Sequence, residues 1–281
     1  MKKKMAVILL ALTMLFACGL TGCGKDSQQV SVSSDAGSET EAGTDLLTQI
    51  KEKGEIVVAM EGTWAPWTYH DESDTLVGYD VEIAKLIAEK LGVEATFVEG
   101  EWDGLLAGLD AGRYDIMVNG VDITEERSAK YDFSRPYAYN RTAVIVSGDN
   151  EDIKSMEDLD GKRTANTISS TYAEVAEEYG AEVTGVDDLN QTFELLLSGR
   201  IDATLNAEVT YYDYMNAHPD ANIKVAVLAP DATQAAIPVR KGEESATLLE
   251  AINNALTELE ESGELSALSE KYFGVDISKA E

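Results

Sequence analysis

The sequence predicts an α/β fold built as two lobes of similar design with a cleft between them. Three observations carry this prediction. Short apolar runs of strand composition alternate with amphipathic helical stretches. One junction, running from a helix end through a glycine into a strand, occurs twice. Both copies finish on a polar residue at the strand's C-terminal end, where open α/β sheets bind their ligands.

"EIVVAM" (55–60) is the first strand-like run. "DVEIAKLIAEKLG" (80–92) places Ile83, Leu86, Ile87 and Leu91 on one helical face, with Asp80 as a plausible N-cap and Gly92 as the stop. "ATFVEG" reads as a strand and "DGLLAGLDAG" (103–112) as a helix closed by Gly112. "YDIMV" (114–118) is the next strand. Alternation of this kind argues for largely parallel strands.

The repeat sets "AGRYDIMVNG" (111–120) over "SGRIDATLNA" (198–207), pairing Gly112 with Gly199, Arg113 with Arg200, Asp115 with Asp202 and Asn119 with Asn206. Helix–glycine–strand junctions resemble one another anywhere. Two lobes of one build explain the four coincidences better, and Asn119 and Asn206 then mark one cleft wall each. Further on, "PDANIKVAVLAP" (219–230) is a loop and a strand, and "AAIPVRKG" (235–242) is strand-like and turns at Gly242. Residues 245–274 are strongly helical, with Gly263 dividing two helices.

The chain starts differently. "MKKKMAVILLALTMLFACGLTGC" has a basic start, an apolar run and a small-residue end, which reads as a secretion signal (1–22). Its end, Leu20-Thr21-Gly22-Cys23, resembles the bacterial lipoprotein processing box, in which the peptidase cuts before the cysteine and the thiol carries diacylglycerol. Cleavage there removes Cys18, so neither a disulfide within the domain nor a paired-cysteine metal site is expected. It also removes three lysines, taking the formal charge from -30 to -33. That field disfavours nucleic acid and anionic membrane surfaces, and any anion site must be locally basic. Residues 23–44 are rich in Ser, Gly and acids and read as a tether.

"VNGVDITEER" (118–127) turns at Asn119–Gly120 and enters a helix capped by Thr124. Arg127 then occupies the third helical position, where Glu or Gln is favoured. A cation there opposes the macrodipole by roughly 0.3–1 kcal/mol. It is either a surface Arg paired with one of the many acids or a bidentate clamp for a ligand carboxylate. "ISSTYAEVAEE" (168–178) offers a second helix start, with Ser170 and Thr171 as ligand contacts or with Thr171 and Glu174 as a capping box. Trp64, Trp67 and Trp102 lie just past strands and belong to a core or cover a ligand's apolar body. Glu61 and Asp122 are solvated loop acids or acceptors for a ligand ammonium. His70 and His218 are isolated, and no HExxH, Ser/His/Asp order, P-loop or GxGxxG occurs. No catalytic residue, metal or cofactor is expected.

These residues resemble one family over about 46–277: the bacterial extracellular solute-binding proteins of polar amino-acid ABC transporters. The segments are "LLTQIKEKGEIVVAMEGTWAPWTY", "LVGYDVEIAKLIAEKLGV", "EWDGLLAGLDAGRYDIMVNGVDITEERSAKYDFSRPYAY", "DLDGKR", "LLLSGRIDAT" and "SGELSALSEKYFG". Through "EGTWAPW" and "EWDGLLAGLD" the chain looks most like cystine-binding members. The resemblance implies a periplasmic-binding-protein-like fold of type II, with lobe 1 at 45–143 and 235–281 and lobe 2 at 144–234. It implies that Arg127 binds the ligand α-carboxylate and that Trp64 and Trp102 sandwich the side chain. Asn119, Gly120 and Asp122 would give hydrogen bonds, and Ser170 and Thr171 would meet the carboxylate from the second lobe. The chain departs from the pattern at Ala207, where many members carry the Asp that takes the ligand ammonium, and at "TAN" (164–166), usually "V-G-V". Asp122 is the expected replacement acid, ahead of Glu208 and Glu61.

The function so implied is a receptor, lipid-anchored at Cys23 on the extracellular face of the membrane. It captures cystine or another polar amino acid and delivers it to a membrane permease, acting as a monomer. The rival is an enzyme on the same fold, a prephenate or arogenate dehydratase, for which no acid–base pair is evident.

Overall fold

The computed structural model describes residues 45–280, so the signal, Cys23 and the tether lie outside the described residues. Two sheets organise the rest. The first holds three parallel strands in the order Glu94–Glu99, Glu55–Met60, Ile116–Met117. The second holds five, in the order Glu182–Val186, Arg163–Thr167, Ala203–Ala207, Ala138–Ser147, Ile223–Ala235. Its first three strands are parallel and repeat the first sheet's order; strand 138–147 is antiparallel to both of its neighbours, 203–207 and 223–235. The α/β two-lobed architecture expected from the sequence is thus observed.

The period-2 side-chain alternation of a strand sends neighbours to opposite faces. Ile56, Val58 and Met60 enter one core with Ile83, Ile87, Leu248, Ile252 and Leu256. Ala59 points the other way, to Trp102, Leu105, Leu109 and Met117. In the second sheet Val144, Val146 and Leu205 face Leu159 and Ala176, while Ala143 and Ile145 face Phe193 and Leu196. Helices therefore cover both faces of both sheets.

The repeat is a structural one. Helices Trp102–Asp110 and Leu189–Leu197 both end just before a left-handed glycine, Gly112 (φ 67°) and Gly199 (φ 69°). Asp115 then exchanges two hydrogen bonds with Val57 of the adjacent strand: its carboxylate accepts from the Val57 N–H at 2.8 Å and its own N–H donates to the Val57 carbonyl at 2.9 Å. Asp202 does the same with Arg163, at 2.9 and 2.8 Å.

Strands 138–147 and 223–235 form the longest pairing. Its register breaks between Leu228 and Ala232, so Pro230 sits where no ladder hydrogen bond is demanded of it. The expected strand at 219–230 therefore runs on to Ala235. Its far end meets the first half of the chain, with Ile123 donating to the Gln234 carbonyl and Ala236 to that of Val121, both at 2.9 Å. Residues 238–240 form a separate short strand against 131–133.

Two local expectations are corrected. "YDIMV" contributes only Ile116 and Met117 to the ladder, because Asp115 uses its side chain to pin the strand's start. Asp80 is not an N-cap. The helix is Tyr79–Leu91, and its cap is Gly78 at φ 137°, where a Cβ would fall 2.2 Å from the Trp67 carbonyl oxygen.

Asp80 is instead fully buried and accepts from the Tyr137 hydroxyl at 2.9 Å, and that hydroxyl accepts from the Gly120 N–H at 3.1 Å. Burial pushes the Asp80 carboxyl up to about 8, against the lowering effect of these donors. Its ordinary value is 3.8, so folding takes up a proton between pH 4 and 8 and stability falls as pH rises through that window. Asp80→Asn, which keeps an acceptor for Tyr137, is expected to match the parent near pH 4. At pH 8 it should be more stable by roughly 2–5 kcal/mol. Thermal melts across the range check this; a difference independent of pH would contradict it.

Candidate functional site

A cleft opens between the C-terminal ends of the two sets of parallel strands. It holds about 550 Å³ of empty space, its open mouth included. From the first half of the chain it is lined by Glu61, Trp64, Trp102, Gly120, Asp122 and Arg127. From the second come Asn166, Thr167, Ser170, Thr171, Tyr172, Leu189, Thr192 and Asn206.

Arg127 is placed as its sequence context suggests. The helix is Glu125–Lys130, and the Thr124 hydroxyl accepts from the Arg127 N–H at 3.1 Å. The side chain is 6% exposed, which rules out the surface reading. Its guanidinium donates to two carbonyls, Asp122 at 3.2 Å and Ser169 at 3.0 Å, and pairs with no carboxylate among the described residues. Its Cζ lies 5.2 Å from the Trp102 ring centroid, a cation–π distance. The Ser169 carbonyl comes from the opposite wall, on a residue at φ 61°.

Across from it, helix Thr171–Glu178 is capped by Ser170, whose hydroxyl accepts from the Ala173 N–H at 3.2 Å and donates to the Thr167 carbonyl at 2.6 Å. The expected capping box between Thr171 and Glu174 is therefore absent. Thr171 is the first helical residue, and its hydroxyl is free to donate across the cleft to Asp122, at 2.5 Å.

The acids divide. Asp122 is buried, which raises its carboxyl above the ordinary range; hydroxyls of Thr171 and Thr233 and the charge of Arg127 pull it back. Glu61 is pushed up to about 7, first by burial, then by the fields of Asp188 and Asp103, against the Asn119 amide that donates to it at 2.7 Å. Glu208, the other expected alternative, is outside the cleft. It pairs with Arg141 at 3.2 Å and lines a different groove.

Trp64 stacks on Trp67 with centroids 5.1 Å apart, and its Nε1–H donates across to Asn206 Oδ1 at 3.2 Å. Trp67 is core, packed also on Tyr79 and Phe273. Gly120 is required where it stands: φ is 53°, and a Cβ would lie 2.8 Å from the Trp64 ring. Asn119, implied as a ligand contact, also stays off the cleft wall. It is fully buried behind Glu61 and holds that residue in place, accepting from the Glu61 N–H at 2.8 Å while donating to its carboxylate.

Five lining residues escaped the sequence reading: Asn166, Thr167, Tyr172, Leu189 and Thr192. Asn166 had a signal, since "TAN" is polar where an apolar strand end is usual. Leu189 and Thr192 share a face three residues apart at a helix start, a spacing that says nothing about a ligand until the helix is docked.

Residues 56–275 match the model of the bacterial extracellular solute-binding proteins, family 3. The chain belongs to this family. As a family 3 solute-binding protein it is of the amino-acid ABC transporter kind, extracellular by the family's description. It is 37% identical over 278 residues to the L-cystine-binding protein TcyA of Bacillus subtilis (strain 168), spanning 99% of this chain and 100% of that one. Among solved structures it resembles an ancestral arginine-binding protein bound to arginine, with a TM-score of 0.74 at 37% identity, covering 79% of this chain and 99% of that one. It also resembles the L-cystine solute receptor of Neisseria gonorrhoeae in its unliganded open conformation, with a TM-score of 0.58 at 39% identity, covering 84% and 99%. These relatives are binding proteins rather than enzymes.

Proposed function

We propose that the chain is a lipid-anchored receptor that captures cystine or another polar amino acid and hands it to the permease of an ABC transporter. The observation that carries this reading is the pairing of opposite walls around one pocket. Arg127 and Asp122 on one side reach Ser169 and Thr171 on the other, and Trp64 reaches Asn206. A guanidinium without a carboxylate, beside carboxylates without an ammonium among the described residues, is the complement of a zwitterion. Arg127 takes the ligand's α-carboxylate, with Ser170 and Thr171 opposite. Asp122 takes the ammonium, Trp64 and Trp102 cover the side chain, and Gly120, Glu61 and Asn206 complete the wall, with Asn119 holding Glu61 from behind.

Lobe 1 is 45–143 with 235–281, lobe 2 is 144–234, and strands 138–147 and 223–235, which run from one to the other, form the hinge. At similar identity, the better match to the arginine-bound chain than to the open one supports reading the arrangement as closed. Capture is then a population shift toward this state. Cys23 carries the lipid, and residues 24–44 tether the receptor at the extracellular face of the membrane.

Thermal shift against a panel of amino acids tests the reading. A ligand at about 100 times its dissociation constant stabilises by about 2.7 kcal/mol. For a domain of this size that is roughly 5–10 °C. A flat response to every amino acid would overturn the proposal.

A further inference from the structure

Asn166 lies on strand 163–167, lines the cleft and is 2% exposed. Its neighbours settle which way the amide faces. Nδ2 donates to the Leu205 carbonyl at 2.7 Å and to Thr204 Oγ1 at 3.4 Å. A carbonyl only accepts, and the Thr204 hydroxyl gives its proton to the Ala165 carbonyl at 2.8 Å, so both positions demand a donor. Flipping the amide would set oxygen against oxygen at 2.7 Å. The Asn166 Oδ1 atom is thereby fixed as an acceptor, and it is buried with no donor among the described residues.

Three of the hydroxyls that line the cleft are committed elsewhere. Thr192 donates to the Leu189 carbonyl at 2.7 Å, Thr171 to Asp122, and Ser170 to the Thr167 carbonyl. A buried acceptor left unpaired loses its hydration without return. What enters the cleft can supply that donor. The ligand's α-ammonium is better matched to the carboxylates of Asp122 and Glu61, because a charged acceptor binds a cation more strongly than a neutral amide does.

We infer that Asn166 is a specificity-determining contact whose Oδ1 accepts an N–H from the ligand's side chain. The cleft therefore selects amino acids with a nitrogen donor beyond the α-carbon: an ammonium, a guanidinium, a carboxamide, or the second amino group of cystine. A side chain ending in oxygen lone pairs or in hydrocarbon leaves Oδ1 unpaired and is rejected. This rests on the receptor reading above.

Calorimetric titration of the full chain with matched ligands tests it: L-glutamine against L-glutamate, L-lysine against L-norleucine, and L-cystine against S-(methylthio)-L-cysteine. The expected result is that, for at least one pair, the member with the nitrogen donor binds tenfold or more tightly than its partner. Asn166→Leu, of similar volume but without the acceptor, should shrink that ratio to within about threefold. A parent that binds both members of every pair alike, as a water-bridged Asn166 would give, overturns the inference. So does a ratio that survives Asn166→Leu. Should that variant fail to fold, judged by its melting curve, the parent's ratios decide alone. A parent that binds no amino acid at all sinks the receptor reading and this inference together; binding without discrimination sinks only the inference.

Discussion

Arg127→Met is expected to weaken amino-acid binding by about 100-fold or more, read by calorimetric titration. Truncating one partner of a buried, hydrogen-bonded charge pair costs about 2–5 kcal/mol, largely by stranding the other charge. That outweighs the roughly 0.3–1 kcal/mol by which a cation at the third position of a helix opposes the macrodipole. Arg127→Lys should recover only part of the loss, because an ammonium cannot make the planar fork. Arg135→Met is the control: Arg135 pairs with Glu260 away from the cleft, and affinity should stay within about twofold of the parent. Equal losses in Arg127→Met and Arg135→Met would mean that the effect is on folding.

Asp122→Asn is expected to cost binding a comparable amount, about 30-fold or more. Its carboxylate accepts from Thr171 across the cleft, and its carbonyl accepts from Arg127. A carboxamide keeps the shape and loses the charge that an ammonium needs. Since burial holds the Asp122 carboxyl above its ordinary range, affinity in the parent should fall as pH drops through that raised value and level off above it. The Asn variant should lack this component. Glu208→Ala should bind as the parent does, its partner being Arg141 on another face. If Asp122→Asn bound normally while Glu61→Gln did not, the ammonium's partner would be Glu61, which stands on the same wall with its own raised carboxyl.

Much of this was legible in the sequence because it is encoded locally. The strand Glu55–Met60, the Thr124 cap and the helix break at Gly263 each depend on a few adjacent residues. The repeat carried the two-sheet plan, since Gly112/Gly199 and Asp115/Asp202 make matching contacts in both copies. What stayed hidden depends on residues far apart. Asp80 reads as a cap until Tyr137, 57 positions on, takes its carboxylate into the core. Thr171 reads as half of a capping box until Asp122, 49 positions away, takes its hydroxyl. Asn119 sits at a strand end as expected, but Glu61 stands between it and the cleft. Pro230 suggests a strand's end, and only the register break shows how the pairing continues past it.

The paired aspartates have a consequence for tolerance. In each copy the aspartate pins its strand to the neighbour at the edge remote from the cleft, and an asparagine stands four positions later, Asp115 to Asn119 and Asp202 to Asn206. Along strand 203–207 the interval is about 13 Å at about 3.3 Å per residue, and its even count keeps Asp202 and Asn206 in phase. In the first copy the ladder holds only Ile116 and Met117, and Asn119 acts on the cleft through Glu61. Error in where these asparagines stand is set at the anchored ends, away from the cleft.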